Sequence, residues 1–171
     1  MKKPVYLIIC AFLLSVCSCR RDKCCVIPEP PARITAEKNG VAWSPRFAKG
    51  VLSEIDSLSI SATGITEQVY PYKKIDTLNI SILYNKPGIY PLQGSQAFYG
   101  IFKDNGLTGY RLDASYNNVI NITGYERLSN PYSSAPDQVR ITGTFSLRFI
   151  NPNDPLGISF RNGSFYTLVP Y

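Results

Sequence analysis

Residues 139–150 read Val-Arg-Ile-Thr-Gly-Thr-Phe-Ser-Leu-Arg-Phe-Ile, and their alternation sets the class of the fold. Successive side chains of a strand point to opposite faces. Val139, Ile141, Phe145, Leu147 and Phe149 therefore share one face, and Arg140, Thr142, Thr144, Ser146 and Arg148 share the other. An apolar face backed by a polar one is the pattern of an antiparallel sheet with one side on a core. The same period recurs with Leu58, Ile60 and Ala62 against Ser57, Ser59 and Ser61. It recurs again with Leu78, Ile80, Ile82 and Tyr84 against Thr77, Asn79 and Ser81. Residues 55–61 (IDSLSIS) and 75–81 (IDTLNIS) are nearly the same heptapeptide. We read them as two strands of like burial converging on one pattern, not as an internal repeat.

Working outward, strands are predicted near 34–37, 41–44, 88–92, 97–102, 110–114, 119–124, 157–161 and 165–169. Turn chemistry separates them: Asn39-Gly40, Asn85-Lys86-Pro87-Gly88, Asp104-Asn105-Gly106 and Asn162-Gly163 supply residues that accept positive φ or fix a turn. About ten short strands with no helical periodicity predict an all-β fold, an antiparallel β-sandwich. The alternative is an up-and-down, lipocalin-like β-barrel.

Composition removes several chemistries. The chain of 171 residues has no histidine, which excludes a Ser-His-Asp or Cys-His nucleophile system, a His-ligated zinc and an imidazole acid or base. All five cysteines, Cys10, Cys17, Cys19, Cys24 and Cys25, precede Val26. The β region thus holds no disulfide and no thiolate ligand, and its own core must hold it together. At about 140 residues it is long enough to bury roughly two-thirds of its unfolded surface, as one domain.

The N-terminus reads differently. Lys2 and Lys3 precede a run of 12 mostly apolar residues, Val5 to Val16. That run is too short for a membrane span of about 20 residues and fits the h-region of a signal peptide. Val16-Cys17-Ser18-Cys19 resembles the lipobox of bacterial lipoproteins, with Ser18 as the small residue before cleavage. Leu14-Ser15-Val16-Cys17 fits less well, because Val16 is bulky where that family has a small residue. The resemblance implies cleavage between Ser18 and Cys19, diacylglycerol on the Cys19 sulfur and an acylated N-terminus, an anchor that several acyl chains would make effectively permanent.

The expected organisation is a signal peptide over 1–18, a lipidated and proline-rich tether over 19–32, and a single β domain over 33–171. Loss of Lys2 and Lys3 would leave 16 basic residues against 12 acidic, a net +4. Arg20, Arg21 and Lys23 would hold most of that excess beside anionic headgroups. Pro28, Pro30 and Pro31 favour extended geometry, so residues 20–32 reach roughly 40 Å. Cys24 and Cys25 are read as inert, with a free thiol or pairing to another chain as alternatives.

A second resemblance covers most of residues 34–171. Residues 35–43 (TAEKNGVAW), 88–92 (GIYPL), 141–146 (ITGTFS) and 162–165 (NGSF) occur in the order seen in uncharacterised Bacteroidota lipoprotein domains of the DUF6252 type. Each motif is turn-and-strand vocabulary, and the ordered set carries the resemblance. It implies an envelope lipoprotein of all-β fold with no established activity.

Chemistry-bearing constellations are few. Glu37, Glu54, Asp56, Glu67, Asp76, Asp104, Asp113, Glu126, Asp137 and Asp154 could supply a glycosidase pair. They lie mostly beside turns, where solvated strand ends explain them, and no nucleophile elbow or phosphate loop accompanies them. Asn151-Pro152-Asn153-Asp154-Pro155 clusters oxygens, but its two prolines and the lack of a downstream acid point to a hairpin turn instead of calcium. No catalytic residue, metal site or cofactor is expected.

Tyr70, Tyr72, Tyr99, Tyr110, Tyr116, Tyr125 and Tyr132 are candidates to stack on a sugar or anchor a protein, although strands also use tyrosine for packing. Trp43 is read as a core plug. Arg140, Arg148 and Arg161 are spread along solvent faces and make no case for nucleic acid. Asp56-Ser57-Leu58 and Asp76-Thr77-Leu78 resemble the Bacteroidota O-glycosylation acceptor, which makes Ser57 and Thr77 candidate sites.

The expected function is therefore a non-enzymatic, outer-membrane-anchored lipoprotein with a binding or scaffolding role. Its partners would be the membrane, through the lipid, and a glycan or a protein. The absence of an acidic run after Cys19 favours the periplasmic side. The alternatives are a carrier holding a small apolar ligand in a barrel lumen and a carbohydrate-active enzyme.

Overall fold

The computed structural model describes residues 31–53, 57–69, 72–103, 106–128 and 138–170. The strands are β1 (Ala32–Lys38), β2 (Val41–Trp43), β3 (Phe47–Leu52), β4 (Ser57–Val69), β5 (Tyr72–Leu83) and β6 (Gly88–Pro91). They continue with β7 (Ala97–Lys103), β8 (Gly106–Leu112), β9 (Val119–Leu128), β10 (Gln138–Asn151) and β11 (Asp154–Pro170). A 3₁₀ turn, Gly94–Gln96, lies between β6 and β7. No helix among the described residues is long and apolar enough to cross a membrane.

The all-β, antiparallel reading holds. The strands join one continuous sheet, however, and not two stacked ones. Its main path runs β2-β1-β11-β10-β8-β7-β5-β4-β3, and β9 and β6 branch from β10. The sheet curls until β3 lies against β11 and β1 without hydrogen bonding to them. Two wings of one sheet thus face each other across a shared core, as the two sheets of a sandwich would. The physical reason is strand length, since β10 and β11 are 14 and 17 residues long, not short. Both bend at bulges, where the register shifts between Phe145 and Leu147 and again between Phe149 and Asn151.

One of those bends corrects the sequence reading. Asn162-Gly163 was expected to end a strand in a turn. Asn162 does take a left-handed φ of 51°, but β11 runs straight through it. The extra residue is absorbed as a bulge against both β1 and β10. Asn39-Gly40, with φ of 50° and 79°, does make the expected hairpin between β1 and β2. Asn151 pairs with Asp154, and its Oδ1 accepts the Asn153 N–H at 2.7 Å, so the proline-flanked segment is the expected hairpin turn.

The alternation of β10 is obeyed throughout. Val139, Ile141, Leu147 and Phe149 have no exposed surface, and Phe145 is buried with them. Leu58, Ile60, Leu78, Ile80 and Ile82 face them from β4 and β5 in the same cluster. Each such side chain contributes about 1.5–3 kcal/mol by leaving water. Tyr99, Phe149 and Phe160 interlock with centroids 5.3–6.0 Å apart, and Trp43 meets Phe160 edge-on at 5.0 Å. All four rings belong to the one buried core cluster.

The sequence reading missed β3 because its pattern is inverted. Phe47 and Val51 are exposed, while the small Ala48 and Gly50 face inward. Inward-facing Gly50 lets β3 pack close against β11: a Cβ there would sit 2.1 Å from Thr167 Oγ1. Thr167 itself is fully buried, and its hydroxyl has no hydrogen-bond partner.

Two outcomes follow in chemical denaturation. Gly50→Val forces the wings apart and should cost about 1–3 kcal/mol. Thr167→Val keeps the shape and removes a desolvated hydroxyl, so stability should stay level or rise by about 1 kcal/mol. A loss of more than that in Thr167→Val would contradict the unpaired hydroxyl.

Candidate functional site

Asp76 is the one fully buried carboxylate among the described residues. It continues the inward face of Leu78, Ile80 and Ile82 on β5, so the parity of the strand carries it into the core. Three donors converge on its Oδ2: Lys38 Nζ at 2.7 Å, Trp43 Nε1 at 2.9 Å and the Tyr99 hydroxyl at 3.0 Å. Lys38 also donates to the Tyr99 oxygen at 3.1 Å. Oδ1 has no partner and faces Gly64, where a Cβ would come within 2.7 Å. The expectation that the carboxylates are solvated strand ends is wrong at this position.

The arrangement ties β1, β2, β5 and β7 at one point. Burial, and then the neighbouring Asp76 carboxylate, push the Tyr99 phenol well above its ordinary 10.0. With its proton committed to Asp76, Tyr99 is placed to hold the fold, and the Trp43 ring fills the core as expected.

Three other described acids, Asp113, Asp154 and Glu126, are also engaged. Asp113 Oδ1 accepts the Ser115 hydroxyl at 2.6 Å and its N–H at 2.9 Å, and Oδ2 lies 3.3 Å from Arg148 Nε. Those Ser115 hydrogen bonds, with Arg148, hold its carboxyl below the usual range. Asp154 accepts from the Tyr110 hydroxyl at 3.0 Å, and Glu126 pairs with Arg140 at 3.5 Å. Glu37 is exposed on β1. Glu54, Asp56, Asp104 and Asp137 lie outside the described residues, as does the side chain of Glu67.

Tyrosine supplies the most suggestive concave surface. Tyr84 at the end of β5 is buried, and the ring of Tyr125 on β9 stacks on it at 6.0 Å and 16°. Tyr90 of β6 closes the set at 6.3 Å from Tyr84. The Tyr90 hydroxyl is fixed by the 85–88 turn: it accepts the N–H groups of Asn85 and Lys86 and reaches Asn85 Oδ1 and the Lys86 carbonyl. Burial, then Tyr90 and Tyr125, raise the Tyr84 phenol above its usual value. Tyr84 and Tyr125 line a groove of about 490 Å³ with Leu52, Asn85, Lys86 and Arg127. Tyr125 is 36% exposed, so a face of hydrocarbon is offered to solvent beside polar donors.

The seven tyrosines read as candidate contacts therefore separate. Tyr99 and Tyr110 are buried and 5.7 Å apart, Tyr116 hydrogen-bonds Ser146 at 2.8 Å, and Tyr125 alone joins the groove. Tyr70 and Tyr132, and the Tyr72 side chain, lie outside the described residues. Tyr84 and Tyr90 were not singled out in the sequence. Tyr84 could have been found from its place on the inward face of β5 just before a turn. Ser18, Cys19, Cys24 and Cys25 lie outside the described residues, so the lipobox assignment stands on sequence alone. Ser57 and Thr77 are half-buried on the outward face, and Thr77 lies mid-strand with Thr63 Oγ1 3.5 Å away. Among the described residues no three acidic or cysteine side chains gather as a metal would require.

Asp76→Ala should destabilise the fold by about 3–5 kcal/mol in denaturant, because it leaves the buried Trp43 Nε1 and Tyr99 hydroxyl without their acceptor and the half-buried Lys38 without its counter-charge. The raised phenols give a pH dependence of known sign. Folded Tyr99, Tyr84 and Tyr110 hold their protons after the unfolded chain has lost its own at about 10, so stability is present below that pH and falls as pH rises beyond it. Phenolate absorbance of these residues should appear together with loss of circular dichroism. Phenolate formation in a still-folded chain at their ordinary pKa would refute the assignment.

Comparison with curated proteins and with solved structures gives no match. The model of one family, described as a domain of unknown function (DUF6252), matches residues 31–169. That span opens one residue before β1 and ends within β11, so it takes in the inter-wing contact, the Asp76 centre and the tyrosine groove. The chain belongs to the DUF6252 family.

Proposed function

We propose that this chain is a non-enzymatic envelope lipoprotein that binds a glycan through the tyrosine groove. Diacylglycerol on Cys19 would tie it to the outer membrane after cleavage behind Ser18, with the periplasmic side as its compartment. The single observation that carries the binding role is the Tyr125 ring, stacked on buried Tyr84 and partly open to solvent. A ring held at fixed tilt stacks on the C–H face of a sugar at little entropic cost, and Asn85 and Lys86 stand beside it as hydrogen-bonding groups. The engagement of Asp76, Asp113, Asp154 and Glu126 in hydrogen bonds or ion pairs supports a binding role over hydrolysis.

The anchor rests on the lipobox-like Val16-Cys17-Ser18-Cys19 and the basic and apolar residues before it. Residues 20–32 would then act as the spacer between lipid and body.

Two measurements test these halves separately. Radiolabelled palmitate should enter the wild-type chain and Cys17→Ser and be lost from Cys19→Ser. Label retained in Cys19→Ser would end the anchoring half. On a panel of immobilised envelope glycans, the full chain in detergent should be retained by at least one, and Tyr125→Ala should weaken that retention by about tenfold. Equal retention of the variant would remove the groove from the reading.

A further inference from the structure

β10 is where the sheet divides. Its residues from Gln138 to Ser146 pair with β9, and Phe149 and Ile150 pair with β8. The β8–β9 connection, residues 113–118, occupies the fork. Beside it opens a pocket of about 700 Å³ whose lining includes Leu92, Leu112, Ile150, Arg111, Tyr116 and Asn117. This is within the size range of small-molecule sites.

The walls are built before any ligand arrives. Asn118 is 4% exposed, and its carboxamide donates to the Asp113 carbonyl at 2.7 Å and the Tyr116 carbonyl at 3.2 Å. Its Oδ1 accepts the Arg148 N–H at 2.8 Å, and its own carbonyl accepts the Leu92 N–H at 2.8 Å. One buried residue thus fastens the connection to β10 through its side chain and to the segment after β6 through its backbone carbonyl. Leu92 and Leu112 are buried and form an apolar floor, while Arg111 and Asn117 are exposed at the rim.

The charge is one-sided. Arg111 is the only charged residue in the lining. Among the described residues no carboxylate pairs with it, whereas Arg148 has Asp113 at 3.3 Å and Arg140 has Glu126 at 3.5 Å. The nearest acid in sequence, Asp113, is occupied by Ser115 and Arg148. A guanidinium presents a planar fork of donors that matches a carboxylate bidentately, and Asn117 offers a carboxamide beside it.

We propose that the fork pocket binds a compact organic carboxylate that also carries amide or hydroxyl groups, with Arg111 receiving the carboxylate and Leu92 and Leu112 its apolar portion. This site is separate from the tyrosine groove and does not depend on the glycan reading.

The test uses calorimetry on the full chain in detergent with matched probes: N-acetylmuramate against N-acetylglucosamine, and N-acetylglutamate against its uncharged diamide, N-acetylglutaminamide. At least one acid should bind, and about tenfold or more tighter than its neutral partner. The better acid shows whether the carboxylate belongs to a sugar or to an acylated amino acid. Arg111→Gln should lose about tenfold or more of that affinity at unchanged melting temperature, Arg111→Lys should fall between, and Tyr125→Ala should leave it unaltered. Binding of neither acid, equal binding of an acid and its neutral partner, unchanged affinity in Arg111→Gln, or inorganic phosphate binding as tightly as the better acid would overturn the proposal.

Discussion

The fold turns on a carboxylate with no access to water. Asp76 collects a lysine, an indole and a phenol from three other strands, and so it fastens β1 and β2 across the curl of the sheet to β5 and its neighbour β7. Without cysteine beyond residue 25, no covalent bond can do this. A buried ion pair is a poor source of net stability compared with apolar packing, because desolvation offsets most of the attraction. Its value here is directional. Only one register of β5 brings the carboxylate to Trp43 and Tyr99, and a slip of one residue would send Asp76 outward and Thr77 inward.

This constraint explains why a single sheet behaves as two layers. A curled sheet has free edges at both ends of its path, and curling alone does not decide how far they approach. The approach is set by Gly50 against Thr167 on one side and by the Asp76 centre on another. Between them the interior fills with Tyr99, Phe149 and Phe160, whose mixed edge-on and tilted contacts lock the wings at one separation. Concavities of ligand size are then found where the hydrogen-bonded ladder forks or ends, because there side chains cannot close over one another.

How much of this was legible in the sequence depends on whether a rule of parity applies. β10 could be read face by face, since every inward position carries an apolar residue or glycine. The same parity, extended two residues back from Leu78, places Asp76 in the core. An acid at the end of an apolar face was discounted as a strand end, although it was the signal of a buried network. β3 was illegible for the opposite reason: its inward residues are small because another strand presses on them, a tertiary fact with no local signature. Asn162-Gly163 carries the dihedral preference of a turn, and only the strands on both sides of β11 decide that the chain goes straight on through a bulge.

The candidate sites were less visible than the fold, for a related reason. The groove joins Tyr84, just past β5, to Tyr125 on β9, with Tyr90 of β6 packed against Tyr84, and the fork pocket joins Arg111 to Asn117 across a connection held by buried Asn118. In sequence each is ordinary strand or turn vocabulary. Among the described residues an acid lies beside Arg148 and none beside Arg111, and what distinguishes Tyr125 from Tyr99 is exposure, 36% against 0%. The Asp76 centre lies inside the sheet, whereas the groove and the fork pocket lie where strands end or divide. Side chains at such places can differ without disturbing the sheet that positions them.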